Sequence, residues 1–337
     1  MAFSAWTRHW RLYLWMGALG VLVLAAVIAA WLQPKRPPAP LAPGFTLHDD
    51  RGRLTSLEQF RGKVVLLDFT DPVCHEICPL TSAAMVRALQ QLGPAARQVQ
   101  LLGINVNPDK TSVADVAAYT RAHRMEGKWR FLTASAPRLQ AIWKAYHVYV
   151  GKSADGDIIH QAVIYLIGPR GHERGISTTP MSYQGVSVQA NDLAHAMARL
   201  LPRGTSVAPP AAAASVLPPA PVLKHRRLEV FFATWTDPVQ SSAWERYQRL
   251  AAARHLPPPL LIDETPVEPP TQATAAALRQ LSAQLKLPLY ADDSGQLADA
   301  AHVESLPWIA EIDRHGKVLW KHEGWLPPRA IAAALER

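Results

Sequence analysis

The chain has 337 residues, of which 49% are hydrophobic and 18% charged, and its formal net charge is +8. This apolar content excludes an intrinsically disordered chain, and the length allows about two ordinary domains. The two cysteines exclude a disulfide-rich scaffold and an all-thiolate zinc site, and the lysines and arginines are too scattered to indicate nucleic-acid binding.

The N-terminal region contains an uncharged, largely apolar run of 21 residues from Leu12 to Leu32. A helix of that length rises roughly 30 Å, the thickness of a bilayer core, and aromatic residues flank both ends, as is typical of membrane interfaces. We predict a short tail over 1–11, a retained transmembrane anchor over 12–32 and a proline-rich stalk over 33–43. The chain would then be a single-pass protein of the bacterial inner membrane with its soluble domains in the periplasm, although positive charges on the two sides of the span are nearly balanced.

A second proline- and alanine-rich stretch, residues 202–223, divides the rest of the chain. Its prolines prevent a continuous helix, and it has little apolar surface to bury. We therefore predict two bodies joined by a linker: body one over 44–201 and body two over 224–337. Both alternate strand-length apolar runs with helix-length segments, which is typical of an α/β sandwich.

The predicted elements follow in chain order. In body one the predicted strands are Val64–Phe69, Val99–Val106, Arg130–Leu132 and Ala162–Ile167, and the predicted helices are Pro79–Leu92, Ser112–Ala122, Ala136–Tyr146 and Asp192–Leu201. In body two the predicted strands are Leu228–Phe232, Pro259–Ile262, Trp308–Ile312 and Lys317–Trp320, and the predicted helices are Ala243–Ala252, Thr271–Leu285 and Arg329–Leu335.

Two short patterns recur in the same order in the two bodies. Residues 69–73 and 235–239 share Thr-Asp-Pro-Val after an aromatic residue, and residues 162–171 share an apolar strand and a turn with 307–316. Two matches in order indicate an internal repeat, so we predict two copies of one α/β fold.

The chemistry-bearing residues of body one are two cysteines at the start of its first predicted helix. Cys74 and Cys78 are four residues apart, which places them on one side if the turn is helical. A helix N-terminus lowers thiol pKa values, and thiolates are soft ligands that select Cu(I). Two thiolates leave a metal site open, so a third ligand must come from elsewhere in the chain.

The pattern Cys74-x-x-x-Cys78-Pro79, followed much later by His160 just before an apolar strand, resembles the Sco/SenC family of membrane-anchored, thioredoxin-like copper proteins. The resemblance spans about residues 44–200. It implies that Cys74, Cys78 and His160 bind copper, and that the protein serves assembly of the binuclear copper centre of cytochrome c oxidase. The implied partners are the copper-bearing oxidase subunit and a thiol reductant of the thioredoxin/TlpA type, because copper needs both thiols reduced.

Several alternatives stay open at this point. Cys74 and Cys78 could be the redox pair of a membrane-tethered thiol–disulfide reductase, with His160 an ordinary loop histidine. The cysteines could also be incidental in a structural assembly factor, and His75 could be a fourth or competing ligand. A chaperone that passes copper by ligand exchange would not be an enzyme. The discriminating residue is His160, which copper binding needs and disulfide exchange does not.

Body two resembles the thioredoxin/TlpA-like superfamily without its thiols. The stretch 232–239 corresponds to the segment that usually holds Trp-Cys-x-Pro-Cys, and Thr236 and Val239 occupy the cysteine positions. Leu306-Pro307 keeps the cis-proline signature, whereas body one has Ala162 at the equivalent place. The resemblance implies a module that binds a partner or covers body one, or a structural relic.

Overall fold

The computed structural model describes residues 15–25, 39–209, 227–236, 248–249, 252–253, 259–268, 272–315 and 317–324. The chain divides into two compact units, Met1–Pro40 and Leu41–Arg337. In the first unit, residues 15–25 are helical and exposed, and the rest of the predicted anchor and most of the stalk lie outside the described residues. Among the described helices, none has both the length and the hydropathy required for a membrane span.

Body one is built on a mixed five-stranded sheet. The strands of body one are β1 Thr46–His48, β2 Leu54–Ser56, β3 Val64–Thr70, β4 Val99–Asn105, β5 Trp129–Leu132, β6 Val150–Lys152, β7 Ile158–His160, β8 Val163–Ile167 and β9 Glu173–Thr178. Strands β1 and β2 form a separate hairpin, as do β6 and β7, and the other five strands form the sheet. The helices of body one are α1 Ile77–Leu92, α2 Val113–Ala122, α3 Ala136–Ala145 and α4 Gly185–Ala198. The sheet order is β5-β4-β3-β8-β9. Strands β3, β4 and β5 are parallel, and β8 is antiparallel to both of its neighbours.

The central strand β3 explains why this sheet could be recognised in the sequence. All of its residues are buried. Val64 and Leu66 pack in the cluster that contains α1 and α4 residues. Val65, Leu67 and Phe69 pack on the other face, with α3 and the β1–β2 hairpin. A strand covered on both faces is apolar almost throughout, which made β3 recognisable in the sequence. Because β3 is buried along its whole length, it is a rigid support for the cysteine loop that follows it.

Body two has a second sheet with the same strand order and directions. Its strands are β10 Arg227–Phe232, β11 Leu260–Asp263, β12 Leu289–Ala291, β13 Trp308–Ile312 and β14 Val318–Glu323, and its described helices are α5 Gln272–Leu285 and α6 Gln296–Ala301. The order is β12-β11-β10-β13-β14, with β10, β11 and β12 parallel and β13 antiparallel to both of its neighbours. The topology agrees with the predicted internal repeat, and the Leu306–Pro307 peptide bond is cis as expected.

Some predicted boundaries were wrong, and most errors concern short elements. Helix α4 spans Gly185–Ala198 rather than Asp192–Leu201, because Val186 and Ala190 extend its apolar side. The hairpins β1–β2 and β6–β7, the strands β9 and β12, and the helix α6 were not predicted. Most of the predicted helix Ala243–Ala252, all of Arg329–Leu335 and most of the linker 202–223 lie outside the described residues.

The two predicted bodies share an apolar cluster. Leu80 and Ala84 of α1 and Tyr183 before α4 pack in the same buried cluster as Leu306 and Trp308 of body two. Body two therefore covers the outer side of the helix that begins at the cysteine loop. The domain division itself stays a prediction.

Candidate metal centre

The cysteine loop lies between the end of β3 and the start of α1, and a buried aspartate fixes its shape. The Asp71 carboxylate accepts hydrogen bonds from the Val73 backbone N–H at 3.1 Å and from the Asn107 amide at 2.9 Å. The Cys74 N–H donates to the Asp71 carbonyl oxygen at 3.2 Å. Because α1 begins at Ile77 rather than at Pro79, Cys74 precedes the helix and Cys78 lies in its first turn.

The two cysteines are free thiols in different environments. Cys74 is half-buried, whereas Cys78 is only 2% exposed. A hydrogen bond between the two side chains lowers the pKa of Cys74 and, together with burial, raises the pKa of Cys78 well above its usual value. The lowered pKa expected for a thiol at a helix N-terminus is therefore not found for Cys78. The more accessible Cys74 is the thiolate that forms first.

His160 reaches the same place from a different part of the chain. It ends β7, whose hairpin pairing with β6 sets His160 opposite Val150. Its Nε2 lies 3.9 Å from the Cys78 Sγ, and its Nδ1 lies 3.0 Å from the Gln161 carbonyl oxygen. A carbonyl oxygen can only accept, so Nδ1 carries the proton and Nε2 keeps its lone pair. Burial lowers the pKa of His160, which keeps the ring neutral and available as a ligand.

Two thiols and an imidazole are ligand types that bind soft metal ions. In the structure these three side chains contact one another as two pairs. Cys78 contacts both Cys74 and His160. For comparison, one zinc ion holds sulfur at about 2.3 Å and nitrogen at about 2.0 Å, so two such ligands lie about 3.5–3.8 Å apart. The 3.9 Å between Cys78 Sγ and His160 Nε2 is close to that spacing. Across the described residues, no three His, Cys, Asp or Glu side chains already form an arrangement that could hold a metal ion.

His75 and Glu76 lie on the loop between the two cysteines, and both are exposed. The pKa of Glu76 is raised, first by partial burial and then by the charges of Glu323, Asp157 and Glu304. Two of these carboxylates belong to body two. The surroundings of the cysteine loop are therefore acidic, and whether His75 contributes to a metal site stays a prediction.

Asp68 is a buried carboxylate of β3. The sequence analysis placed it within a predicted strand and gave it no functional role. The Thr70 hydroxyl donates to its Oδ2 at 2.6 Å. Burial raises the pKa of Asp68 to about 6. The charge of Asp68 in turn contributes to the raised pKa of Cys78. The sequence feature that could have identified Asp68 is its position as a charged residue within an otherwise apolar strand.

Asp68→Asn is expected to stabilise the protein at neutral pH. Because the pKa of Asp68 rises from 3.8 to about 6 on folding, the stability present below pH 3.8 is lost as the pH rises through 6. The full shift corresponds to at most about 3 kcal/mol. The free energy of unfolding from urea titrations should rise by about 1–3 kcal/mol at pH 7 and change little at pH 4. The exposed Asp155→Asn is the control, and equal effects of Asp68→Asn at both pH values would contradict the assignment.

Comparison with known proteins relates the first half of the chain to one family. Residues 33–198, here called the Sco segment, match the SCO1/SenC family model. This part of the chain belongs to the SCO1/SenC family. The Sco segment contains all three residues of the candidate site, and its mixed α/β sheet agrees with the thioredoxin-like fold expected for body one.

Individual relatives match about two fifths of the chain. The mitochondrial protein SCO2 homolog of Bos taurus is 37% identical over 136 residues, which cover 38% of this chain and 50% of the relative. The SCO1 protein homolog of Bacillus subtilis is 28% identical over 144 residues, which cover 40% of this chain and 75% of the relative. A solved structure of Bradyrhizobium japonicum ScoI with copper bound is 21% identical, with a TM-score of 0.42, and the match covers 48% of this chain and all of that one. The chain thus spans about half the length of the Bos taurus relative.

Proposed function

We propose that the protein is a copper chaperone that holds one copper ion through Cys74, Cys78 and His160. It would deliver the ion for assembly of the binuclear copper centre of cytochrome c oxidase. The observation that carries this proposal is the His160 ring, whose unprotonated Nε2 faces the buried Cys78 sulfur at 3.9 Å. A neutral imidazole beside two thiols is a donor set that suits Cu(I). The family match supports it, and so does a relative from Stutzerimonas stutzeri, 28% identical over 149 residues, whose name describes copper binding.

The environments of the three donors suit capture and release by ligand exchange. Cys74 is half-buried and has a lowered pKa, so it offers a thiolate where an incoming or departing copper ion can be exchanged. The buried Cys78, together with His160, would retain the ion while Cys74 changes partners. Binding would displace the Cys78 proton, so copper affinity rises with pH. Copper is cargo in this scheme, and no covalent bond of the client changes.

Anchoring and partners are part of the same proposal. The uncharged run Leu12–Leu32 supports a single-pass anchor in the bacterial inner membrane with the Sco segment in the periplasm. In that oxidising compartment the thiols would need a thiol reductant of the thioredoxin/TlpA type before loading. The acidic surroundings of the cysteine loop fit a client whose receiving surface is positively charged.

A second candidate function, thiol–disulfide reduction, is favoured by the contrast between the two thiols. Cys74 has the lowered pKa of an attacking thiolate, and Cys78 has the raised pKa of a buried resolving thiol. Cys74 would attack a client disulfide and form a mixed disulfide. Cys78 would then attack Cys74, which releases the reduced client and leaves a Cys74–Cys78 disulfide for the reductant.

His160→Ala separates the two functions. We expect this variant of the full chain to bind Cu(I) at least about tenfold more weakly, equivalent to about 1.4 kcal/mol, because it removes the nitrogen donor. The measurement is anaerobic competition against a Cu(I) chelator with the thiols reduced. His75→Ala is the matched control, since it removes an exposed histidine of the cysteine loop, and its affinity should equal that of the wild type. Equal affinity of His160→Ala and wild type would refute the three-ligand site, and retained disulfide reduction by His160→Ala would then support the reductase.

A further inference from the structure

An aspartate of body two caps the N-terminus of α4 in body one. Asp299, on α6, accepts hydrogen bonds through Oδ1 from the Tyr183 N–H at 2.8 Å and through Oδ2 from the Ser182 hydroxyl at 2.8 Å. The same Oδ2 accepts from the Gln184 backbone N–H at 3.2 Å and from its side-chain amide at 3.0 Å. A carboxylate is favourable at this end of a helix, where backbone N–H groups lack partners. The Ser182 oxygen in turn accepts from the Gly185 N–H at 3.1 Å, so Asp299 of body two holds the residues that lead into α4 and the side chain that caps its first turn.

The capped segment contacts both elements that carry the candidate ligands. The Thr179 N–H donates to the carbonyl oxygen of Ala162, two residues after His160, at 3.2 Å. The Thr81 hydroxyl, three residues after Cys78, donates to the Thr179 hydroxyl at 2.9 Å. The segment 179–184 therefore joins the strand that follows His160 to the helix that carries Cys78.

A second polar contact holds the helix α1 directly. The Arg87 guanidinium donates to the backbone carbonyl oxygens of Thr265 at 2.6 Å and Pro266 at 3.0 Å. Residues of α1 and Tyr183 also pack with Trp308 of body two in the shared apolar cluster. Body two therefore holds α1 and the segment 179–184 at separate points, and a rigid-body shift of body two would move both.

The face of body two that makes these contacts is the one that holds its thiol-less loop and its cis-proline. Trp235 of that loop lies against the buried His123 of body one, with ring centroids 4.3 Å apart. Leu306, on the N-terminal side of the cis peptide bond, is buried in the shared cluster. In the described part of the chain, Trp235 and Leu306 are therefore in contact with body one or with the cluster that it shares.

We infer that body two is an intramolecular brace that sets the position of Cys78 relative to His160, with Asp299 as the principal positioning residue. The inference rests on the proposed copper function and adds a role for the second half of the chain. The brace reduces the freedom of α1 and of the segment 179–184 before copper arrives. Binding then costs less ordering of the donors.

The test compares full-length wild type with Asp299→Ala, and uses Asp293→Ala as control. Asp293 is an exposed carboxylate of the same body, so its variant removes the same charge. In Asp299→Ala we expect faster amide hydrogen exchange in peptides covering 178–190 of the copper-free protein, and Cu(I) affinity about 3- to 30-fold weaker. Asp299→Asn keeps one acceptor oxygen and should fall between wild type and Asp299→Ala. It also serves as the milder variant if Asp299→Ala unfolds.

The outcomes separate the brace from the copper function. Unchanged exchange in Asp299→Ala would overturn the brace contact, and faster exchange with unchanged copper affinity would overturn its positioning role. A wild type that binds no Cu(I) would refute the proposed function and this inference with it, whereas the exchange result would still report on the contact alone. Faster exchange and weaker binding in Asp299→Ala, with Asp293→Ala like the wild type, would support the inference.

Discussion

Cys78→Ser is expected to weaken Cu(I) binding by at least about a thousandfold, or about 4 kcal/mol. Cys78 contacts both Cys74 and His160, so its replacement breaks both contacts, whereas loss of either of the other donors breaks only one. A serine hydroxyl has nearly the same size as a thiol but is a hard, weakly acidic donor that Cu(I) does not favour. Anaerobic chelator competition measures the loss.

The control for Cys78→Ser is Cys74→Ser, which removes the half-buried thiol and leaves the Cys78–His160 pair in place. Cys74→Ser should weaken Cu(I) binding less than Cys78→Ser does, and far-UV circular dichroism should show that both variants remain folded. Wild-type affinity in Cys78→Ser would show that copper binds elsewhere or not through this pair.

Phe69→Ala is expected to lower the free energy of unfolding by about 3–5 kcal/mol. The Phe69 ring is 1% exposed and contacts the rings of Tyr146 and Tyr165, with centroids 5.5 Å and 5.9 Å away. Its removal leaves a cavity beneath the end of β3, from which the cysteine loop starts. Urea unfolding measures the change.

Val73→Ala serves as the control for Phe69→Ala because it truncates an apolar side chain of the same segment that is 45% exposed. Its effect should stay within about 0.5 kcal/mol. A loss of less than about 1 kcal/mol in Phe69→Ala would mean that this part of the core repacks easily and does not support the loop rigidly.

The sequence was most informative where one physical requirement dominates a segment. Strand β3 is buried on both faces, so its apolar run could be read directly. The spacing of the two cysteines predicted a pair of soft ligands, and the resemblance to the Sco/SenC family implied His160 as the third. In the folded chain Cys78 and His160 do approach each other, although the hairpin that carries His160 was not predicted.

The features that could not be predicted depend on tertiary contacts between distant segments. Strand β6 is only three residues long and partly exposed, so its pairing with β7 leaves no clear periodicity. The opposite pKa shifts of the two thiols follow from their burial and mutual hydrogen bond, not from their spacing. Asp299 lies more than a hundred residues from the helix that it caps, with 115 positions separating it from Gln184. Nothing local to either segment specifies that contact.

The most direct test of the copper site is X-ray absorption at the copper edge of the reduced, Cu(I)-loaded full-length protein. We expect two sulfur scatterers and one nitrogen scatterer in the wild type and in His75→Ala, and loss of the nitrogen contribution in His160→Ala. A wild-type spectrum with sulfur ligands alone, or one that does not change in His160→Ala, would contradict the assignment of Cys74, Cys78 and His160 as the copper ligands.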